Sequence, residues 1–237
     1  HIHASIDASL KRLNLDYVDL YQVHGVDKET PLEETVRALD DLVRVGKVRY
    51  VGYSNFPAWQ TMKALAIADA NKQARFVSAQ MYYSIAGRDI EREVVPLALD
   101  QNLAILPWSP LAGGLLSGKF DANKQGPAGA RRSGFDFPPV DHGRLPGVLD
   151  ALRQVSQETG LSVARIALAW VLTRPFVTSV IIGAKNPDQL ADNLAASDVT
   201  LTAAQIAHLD AASALPSEYP GWMVDRQNHE PRTANRS

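Results

Sequence analysis

The chain has 237 residues, 46% of them hydrophobic, and its 24 Lys plus Arg against 26 Asp plus Glu give a formal net charge of −2. The length suits one substantial core; a single α/β domain fits as well as two small ones, and we take one as the working interpretation. The near-neutral charge offers no general field that would attract nucleic acid or an anionic membrane. Cysteine is absent, which excludes disulfides, thiolate metal sites and cysteine nucleophiles.

Targeting and metal signals are also missing from the sequence. Its apolar stretches all fall short of the roughly 20 residues needed to span a bilayer, and the first residues lack a signal-peptide pattern. A cysteine-free composition suits a reducing compartment, so we expect a soluble, cytoplasmic protein. His1 and His3 lack carboxylate or histidine partners at metal-binding spacing, and we predict no metal site.

The first predicted elements are a helix and a strand. Four apolar residues recur at helical spacing over 1–13, which predicts an amphipathic helix. The run 13–24, LNLDYVDLYQVH, then predicts a buried strand with the polar His24 at its carboxyl end. Taken alone, His24 is better explained as a structural histidine than as a catalytic one.

Four more strands follow, each ending in a polar or small cluster. They are predicted at 48–55, 75–80, 103–110 and 177–185. Helical patterns separate them, and this alternation favours parallel pairing through right-handed crossovers. The carboxyl ends of parallel strands form the active sites of α/β barrels and open α/β sheets, so we expect the functional site there.

Helices are predicted at 31–46, 57–71, 89–102, 145–159, 162–173, 188–196 and 202–212. Thr30, Ser162 and Thr202 precede three of them as N-cap residues, and Gln205 completes a capping box with Thr202. The segment 109–144 is rich in Gly, Pro, Arg and Asp and has no sustained periodicity, so we predict a long mobile loop there.

Five segments carry a resemblance to a known family. They are LNLDYVDLYQVH at 13–24, LDDLVRVGKVRYVGYSN at 39–55, VSAQ at 77–80, LPWSPLAGGLLSGKF at 106–120 and SVIIGAKNPDQLADNL at 179–194. In order and spacing they resemble the aldo-keto reductases. The resemblance covers about residues 1–215, which we take as the domain, and 216–237 is predicted to be an irregular tail.

The resemblance implies a (β/α)8 TIM barrel that binds NADP(H) and reduces aldehydes or ketones to alcohols. The matching segments correspond to the family's fourth to eighth strands, so we expect an incomplete barrel without the first three βα units. Such a barrel would expose two sheet edges and its apolar interior to water. We therefore expect self-association through the barrel edges, or a rearrangement that covers the opening.

Catalysis in the family uses a tyrosine proton donor, an aspartate, a lysine and a histidine. Only the histidine maps onto this sequence, at His24, because the other three correspond to positions that would precede His1. Hydride transfer to a carbonyl leaves negative charge on oxygen, which needs a nearby proton donor. Four phenols are available, but none stands at the family's tyrosine position: Tyr21, Tyr53, Tyr82 and Tyr83.

The cofactor residues implied by the resemblance are better represented. Ser54, Asn55 and Gln80 would bind the nicotinamide carboxamide, which needs both donors and acceptors. Turn chemistry and helix capping are the alternative role of Ser54 and Asn55. Trp108 would stack on the nicotinamide ring, with core packing as its alternative role.

The segment after Trp108 matches the family's pyrophosphate loop. Ser109, Leu111 and Gly113 take its positions, where small residues let backbone N–H groups approach an anion closely. Glycines in a loop are weak evidence on their own. The natural carbonyl substrate is not readable from the sequence, because its selection is expected to depend on the 109–144 loop and the tail.

The adenosine end of the cofactor would lie at a helix amino terminus. Lys185 would pair with the 2′-phosphate there, and Gln189 and Asn193, one turn apart, would reach the adenine. Many relatives carry arginine where Gln189 stands, so the preference for NADP over NAD is expected to be less sharp. Without the surrounding motif, Lys185 would be interpreted as an exposed surface lysine.

Two functions of different classes fit these observations. The first is an NADPH-dependent carbonyl reductase acting on a small-molecule substrate. The second is a catalytically silent module that binds NADP(H) or serves assembly. Turnover of NADPH with an activated aldehyde distinguishes the first from the second.

Overall fold

The computed structural model describes residues 1–120 and 135–229, and its centre is one parallel sheet. The strands follow chain order across the sheet: β1 (Val18–Val23), β2 (Val48–Ser54), β3 (Phe76–Tyr82) and β4 (Ala104–Trp108). Helices precede the sheet and join its strands: α1 (Ile2–Leu13), α2 (Leu32–Arg44), α3 (Ala58–Asn71) and α4 (Val94–Gln101). The predicted alternation of strands and helices is confirmed for these elements.

A helical layer follows the sheet in the chain. Its members are α5 (Leu145–Thr159), α6 (Val163–Leu172), α7 (Pro187–Leu194), α8 (Ala203–Ala212) and α9 (Gly221–His229). Short 3-10 helices lie at Asp89–Glu91, Ala112–Ser117 and Ala195–Asp198. Within residues 1–120 and 135–229, every helix is too short or too polar to cross a bilayer.

One face of the sheet is packed against helices. Val51, Tyr53 and Ile105 point to that face and are almost completely buried in a core shared with Leu39 of α2 and Leu65 of α3. Side chains alternate along a strand, so the neighbouring residues belong to the opposite face. That opposite face carries the polar residues described below.

The opposite face is partly exposed at its amino-terminal end. Leu20 of β1 and Tyr50 of β2 are partners in the strand register, and they are 38% and 57% exposed. In a closed barrel this face would point to the interior. The α/β fold with a parallel sheet is therefore consistent with a TIM-barrel-like architecture.

A second core joins the later helices to the sheet. Tyr83, just after β3, stacks on Trp170 of α6 with ring centroids 5.8 Å apart, and both side chains are completely buried. The Trp170 indole N–H donates to Asp210 of α8 over 2.9 Å, and Arg174 pairs with the same carboxylate at 3.0 Å. These contacts fasten α6 and α8 to the carboxyl end of β3.

Two helix caps were predicted correctly and one was not. Ser162 accepts a hydrogen bond from the Arg165 N–H, and Thr202 forms the full capping box with Gln205. Thr30 does not cap α2, because its hydroxyl donates to Asp27 instead, and the helix begins after Pro31.

The segment 177–185 does not form the predicted fifth strand. It lies beside β4, where Thr178 and Ile181 donate to the carbonyls of Ile105 and Pro107 over 3.0 and 2.8 Å. Two bonds and one bridge do not make a continuous ladder. Thr178 and Ile181 are also exposed, so burial of their side chains contributes little to stabilising an extended strand beside β4.

Three other predicted boundaries need correction. The helix predicted at 89–102 is divided, because Glu93 departs from helical geometry and α4 starts only at Val94. The tail is not irregular throughout, since α9 occupies Gly221–His229. The predicted loop 109–144 contains a 3-10 helix near its start, and its residues 121–134 lie outside the described residues.

Candidate cofactor-binding site

A row of hydrogen-bonded polar side chains crosses the open face of the sheet. The Gln22 amide N–H donates to the Ser78 hydroxyl over 3.2 Å, and the Gln80 amide N–H donates to the Gln22 side-chain carbonyl over 3.1 Å. Gly52 lies between them in the register. A Cβ at Gly52 would stand 2.3 Å from the Ser78 hydroxyl, so the row requires glycine at this position.

Ser54 and Gln80 meet where β2 and β3 end. The Ser54 hydroxyl donates to the main-chain carbonyl of Gln80 over 2.7 Å, and the Ser54 side chain is buried. The Ser54 hydroxyl hydrogen is thus already used in a hydrogen bond within the protein. The side-chain carbonyl of Gln80 accepts no hydrogen bond from the residues that the structure describes, so it is available to a ligand.

Asn55 joins three strand ends through one amide group. Its N–H donates to the main-chain carbonyl of His24 over 3.0 Å, and its carbonyl accepts the Trp108 indole N–H over 3.0 Å. The Asn55 backbone has φ 58°, a left-handed conformation that asparagine tolerates better than most residues. His24, Asn55 and Trp108 are therefore brought together, as predicted for residues at the carboxyl ends of parallel strands.

The Trp108 ring is in contact with two other aromatic rings. Tyr82, its partner in the strand register, lies at a centroid distance of 5.2 Å and a tilt of 41°. Phe137 stacks on Trp108 at 5.6 Å with only 13° between the ring planes. Phe137 is 41% exposed, so a partly exposed ring covers the indole that the resemblance assigns to nicotinamide stacking.

The predicted pyrophosphate loop is a tight turn with its own hydrogen bonds. Ser109, Ala112 and Gly113 all have positive φ. The Gly113 N–H donates to the Ser109 hydroxyl over 2.9 Å, and the Ala112 N–H donates to the Ser109 carbonyl. Gly114 donates to the Leu111 carbonyl. An anion that used these N–H groups would have to replace the internal acceptors.

The side chains at the amino end of α7 are engaged locally. The Gln189 side-chain carbonyl accepts the Lys185 backbone N–H over 3.0 Å, and Asn186 caps the helix by accepting the Gln189 N–H. Asn193 is buried and donates to the Gly183 carbonyl over 3.2 Å. Gln189 and Asn193 thus fasten 183–185 to α7, and Lys185 is exposed beside them.

The sheet separates His24 from Tyr21 and Tyr53, whereas Tyr82 lies on the same face as Gln80. His24 is exposed at the open end, whereas Tyr53 and Tyr83 are completely buried and burial raises the pKa of both phenols. Burial also raises the pKa of Tyr21. Tyr82 lies beside Trp108, and its hydroxyl shares a hydrogen bond with Ser84. Tyr53 and Tyr83 are consequently unsuited to exchange protons with a ligand at the strand ends.

Sequence reasoning missed Gln22 and Ser78. Gln22 has the same strand parity as His24, two residues away, so it belongs to the same face of the sheet. This shared parity with His24 could have identified Gln22 from the sequence. Ser78 has the same signal, because it lies two residues before Gln80, but its partnership with Gln22 depends on the register of three strands.

Parallel strands joined by helices, with amide, hydroxyl and aromatic side chains converging at their carboxyl ends, define an α/β protein with a candidate nucleotide-cofactor site. The model of the Aldo/keto reductase family matches residues 1–214. The chain therefore belongs to the aldo-keto reductase family.

Individual relatives agree with the family assignment. The chain is 40% identical to the uncharacterized oxidoreductase YrpG of Bacillus subtilis over 84% of its length and 60% of the relative. It is 33% identical to versiconal hemiacetal acetate reductase of Aspergillus parasiticus, over 93% of the chain and 64% of the relative. A probable voltage-gated potassium channel subunit beta of Arabidopsis thaliana is 37% identical over 84% of the chain and 62% of that protein. The chain thus spans a little over three fifths of such relatives.

Proposed function

We propose that the chain forms the NADP(H)-binding part of a carbonyl reductase that converts aldehydes or ketones to alcohols. The observation that carries the proposal is the convergence of Asn55, Gln80 and Trp108 at adjacent strand ends, in a chain of the aldo-keto reductase family. The relatives named as an oxidoreductase and a reductase support the same class of reaction.

The side chains present fit a nicotinamide carboxamide. An amide has two N–H donors and two acceptor sites, and the Asn55 side chain uses one of each in the protein. Gln80 keeps its side-chain carbonyl available, and Ser54 fixes the backbone of Gln80. Trp108 would supply a flat apolar surface for the ring after Phe137 moves away. Bound NADPH would supply the hydride.

His24 would act on the substrate carbonyl. His24 is exposed, and its main-chain carbonyl accepts the Asn55 amide N–H at the end of the sheet where hydride would be delivered. An imidazole N–H can donate a hydrogen bond to the oxygen on which negative charge develops. The resemblance assigns none of residues 1–237 to the family's tyrosine, aspartate or lysine, so we propose that these residues alone turn over slowly.

The architecture that goes with this function is an incomplete barrel. We propose that β1 to β4 correspond to the family's fourth to seventh strands and that 177–182 lies at the position of the eighth. The open face with Leu20 and Tyr50 would then be barrel interior. Lys185 would meet the 2′-phosphate, and Gln189 and Asn193 would support that site through the bonds they make to 183–185.

A second candidate is a silent NADP(H)-binding or assembly module. The identity to a protein named as a potassium channel subunit beta favours it, because that name describes assembly with a channel. The buried phenols near the site are consistent with it, since they do not replace a missing proton donor.

One pair of assays separates the two candidates. NADPH absorbance is followed with an activated aromatic aldehyde, and NADPH fluorescence is titrated in parallel. Turnover that Gln80→Ala and His24→Ala both reduce supports the reductase. Saturable quenching without turnover supports the silent module, and failure to bind NADPH refutes both the reductase and a module that binds the cofactor.

A further inference from the structure

The Asn55 amide, just after β2, is bonded to residues at the ends of both outer strands of the sheet. It donates to the His24 main-chain carbonyl after β1 and accepts the Trp108 indole N–H at the end of β4. We call this pair of hydrogen bonds the Asn55 bridge. Both distances are 3.0 Å, within the ordinary range for N–H···O bonds.

The bridge depends on the backbone of Asn55 as well as on its amide. A left-handed conformation at φ 58° is uncommon outside glycine, and most side chains are strained there. Glycine would adopt the conformation but lacks the amide, and aspartate offers an acceptor but no N–H. Asparagine thus combines the backbone with both hydrogen-bonding functions.

The bridge restricts how the Trp108 ring lies. The indole is only half-buried, and its other ring neighbours, Tyr82 and Phe137, contact it through apolar surfaces that permit sliding. A hydrogen bond from the indole N–H to a fixed acceptor selects one rotation of the ring about its side-chain torsions. A ligand that stacks on the indole would then find it already oriented.

We propose that Asn55 is a positioning residue that orients the Trp108 indole for the cofactor ring and ties it to the His24 end of β1. This inference rests on the proposed function and adds a role beyond direct contact with the carboxamide. It predicts that Asn55 and Trp108 are energetically coupled in NADPH binding. Once the indole N–H is removed, Asn55 should contribute little to NADPH affinity through Trp108.

The first experiment tests the bridge without any cofactor. The indole N–H signals of the ¹⁵N-labelled protein are assigned with Trp108→Phe, which removes one of the four tryptophan signals. Asn55→Gly keeps the left-handed backbone and should shift the Trp108 signal upfield and speed its exchange with solvent. Asn55→Asp keeps the acceptor and should retain the protected signal. An unchanged Trp108 signal in Asn55→Gly would overturn the inference.

Asn102→Gly is the matched control for the glycine substitution. Asn102 has φ 54° at the carboxyl cap of α4 and is exposed, and its side chain makes no hydrogen bond within 1–120 and 135–229. The change therefore alters backbone freedom at a similar conformation without touching the bridge. The Trp108 signal should stay where it is in the wild-type protein.

The second experiment is a double-mutant cycle on the dissociation constant of NADPH. Loss of one hydrogen bond corresponds to a weakening of about 2- to 10-fold, which we expect for Asn55→Gly in the wild-type background. In the Trp108→Phe background, Asn55→Gly should weaken NADPH binding by less than half of that factor. Equal weakening in both backgrounds would show direct contact alone and overturn the positioning role. Absence of saturable binding by the wild type would instead refute the proposed function.

Discussion

Gly52 offers the sharpest test of the polar row on the open face. It is the register partner of Gln22 on one side and Ser78 on the other, and the substitution Gly52→Ala adds one methyl group between them. That methyl carbon would lie 2.3 Å from the Ser78 hydroxyl, 3.0 Å from the Ser78 carbonyl oxygen and 3.1 Å from Gln22 Cγ. The strands or the side chains must therefore move.

The expected loss follows from two effects. Adding a methylene-sized group to a packed site costs about 1–3 kcal/mol, and disrupting the Gln22 to Ser78 hydrogen bond costs about 0.5–1.5 kcal/mol. Together they give about 1.5–4.5 kcal/mol, which lowers the Tm of a chain of this size by roughly 3–18 °C. Gln80 is bonded to Gln22, so NADPH binding should weaken as well.

Urea and thermal unfolding measure the effect, with Gly147→Ala as the control. A Cβ at Gly147 in α5 meets nothing within 4 Å, so that variant should match or slightly exceed the wild type. Ser78→Ala removes the nearest atom and should reduce the cost of Gly52→Ala to less than half. If Gly52→Ala is as stable as Gly147→Ala, or if Ser78→Ala gives no relief, the described packing is incorrect.

Three further predictions concern other surfaces of the molecule. Phe137→Ala should tighten NADPH binding about 2- to 10-fold in fluorescence titrations, because the stacked ring no longer has to leave Trp108; weaker binding would contradict this. Burial, and then the hydrogen bond to Glu91, raise the pKa of Tyr83 above its ordinary value of 10.0. The protonated Tyr83 phenol stabilises the fold fully below about pH 10, and this contribution is lost as the pH rises further, so Tyr83→Phe should show a shallower alkaline decline in the free energy of unfolding than the wild type. Leu20→Lys should reduce self-association in sedimentation velocity, because it charges the open face at β1, an outer strand of the described sheet; a wild type that is monomeric at every concentration would contradict the prediction.

The sheet was predictable because its strands are short segments rich in aliphatic and aromatic residues, and helical patterns separate them. The strand predicted at 177–185 did not form, which shows the limit of that reasoning. β propensity alone does not guarantee a paired neighbouring strand, and the segment makes only two backbone hydrogen bonds to β4. The tail helix at Gly221–His229 has no strong periodicity in the sequence, which is why it was predicted to be irregular.

The meeting of the strand ends was predictable, but the hydrogen bonds that join them were not. His24, Asn55 and Trp108 converge because parallel strands present their carboxyl ends at one edge. Sequence spacing did not reveal that one amide joins them. It also did not reveal that the side chains of Gln189 and Asn193 would form hydrogen bonds with the backbone of 183–185, because those partners lie in an irregular segment.

A crystal structure of this chain soaked with NADPH tests the central claim most directly. We predict that the nicotinamide ring stacks on Trp108, with its carboxamide bonded to Gln80 and Asn55 and with Phe137 displaced. Density for the cofactor at another surface, or a tyrosine hydroxyl of this chain beside the reactive carbon of the ring, would contradict it.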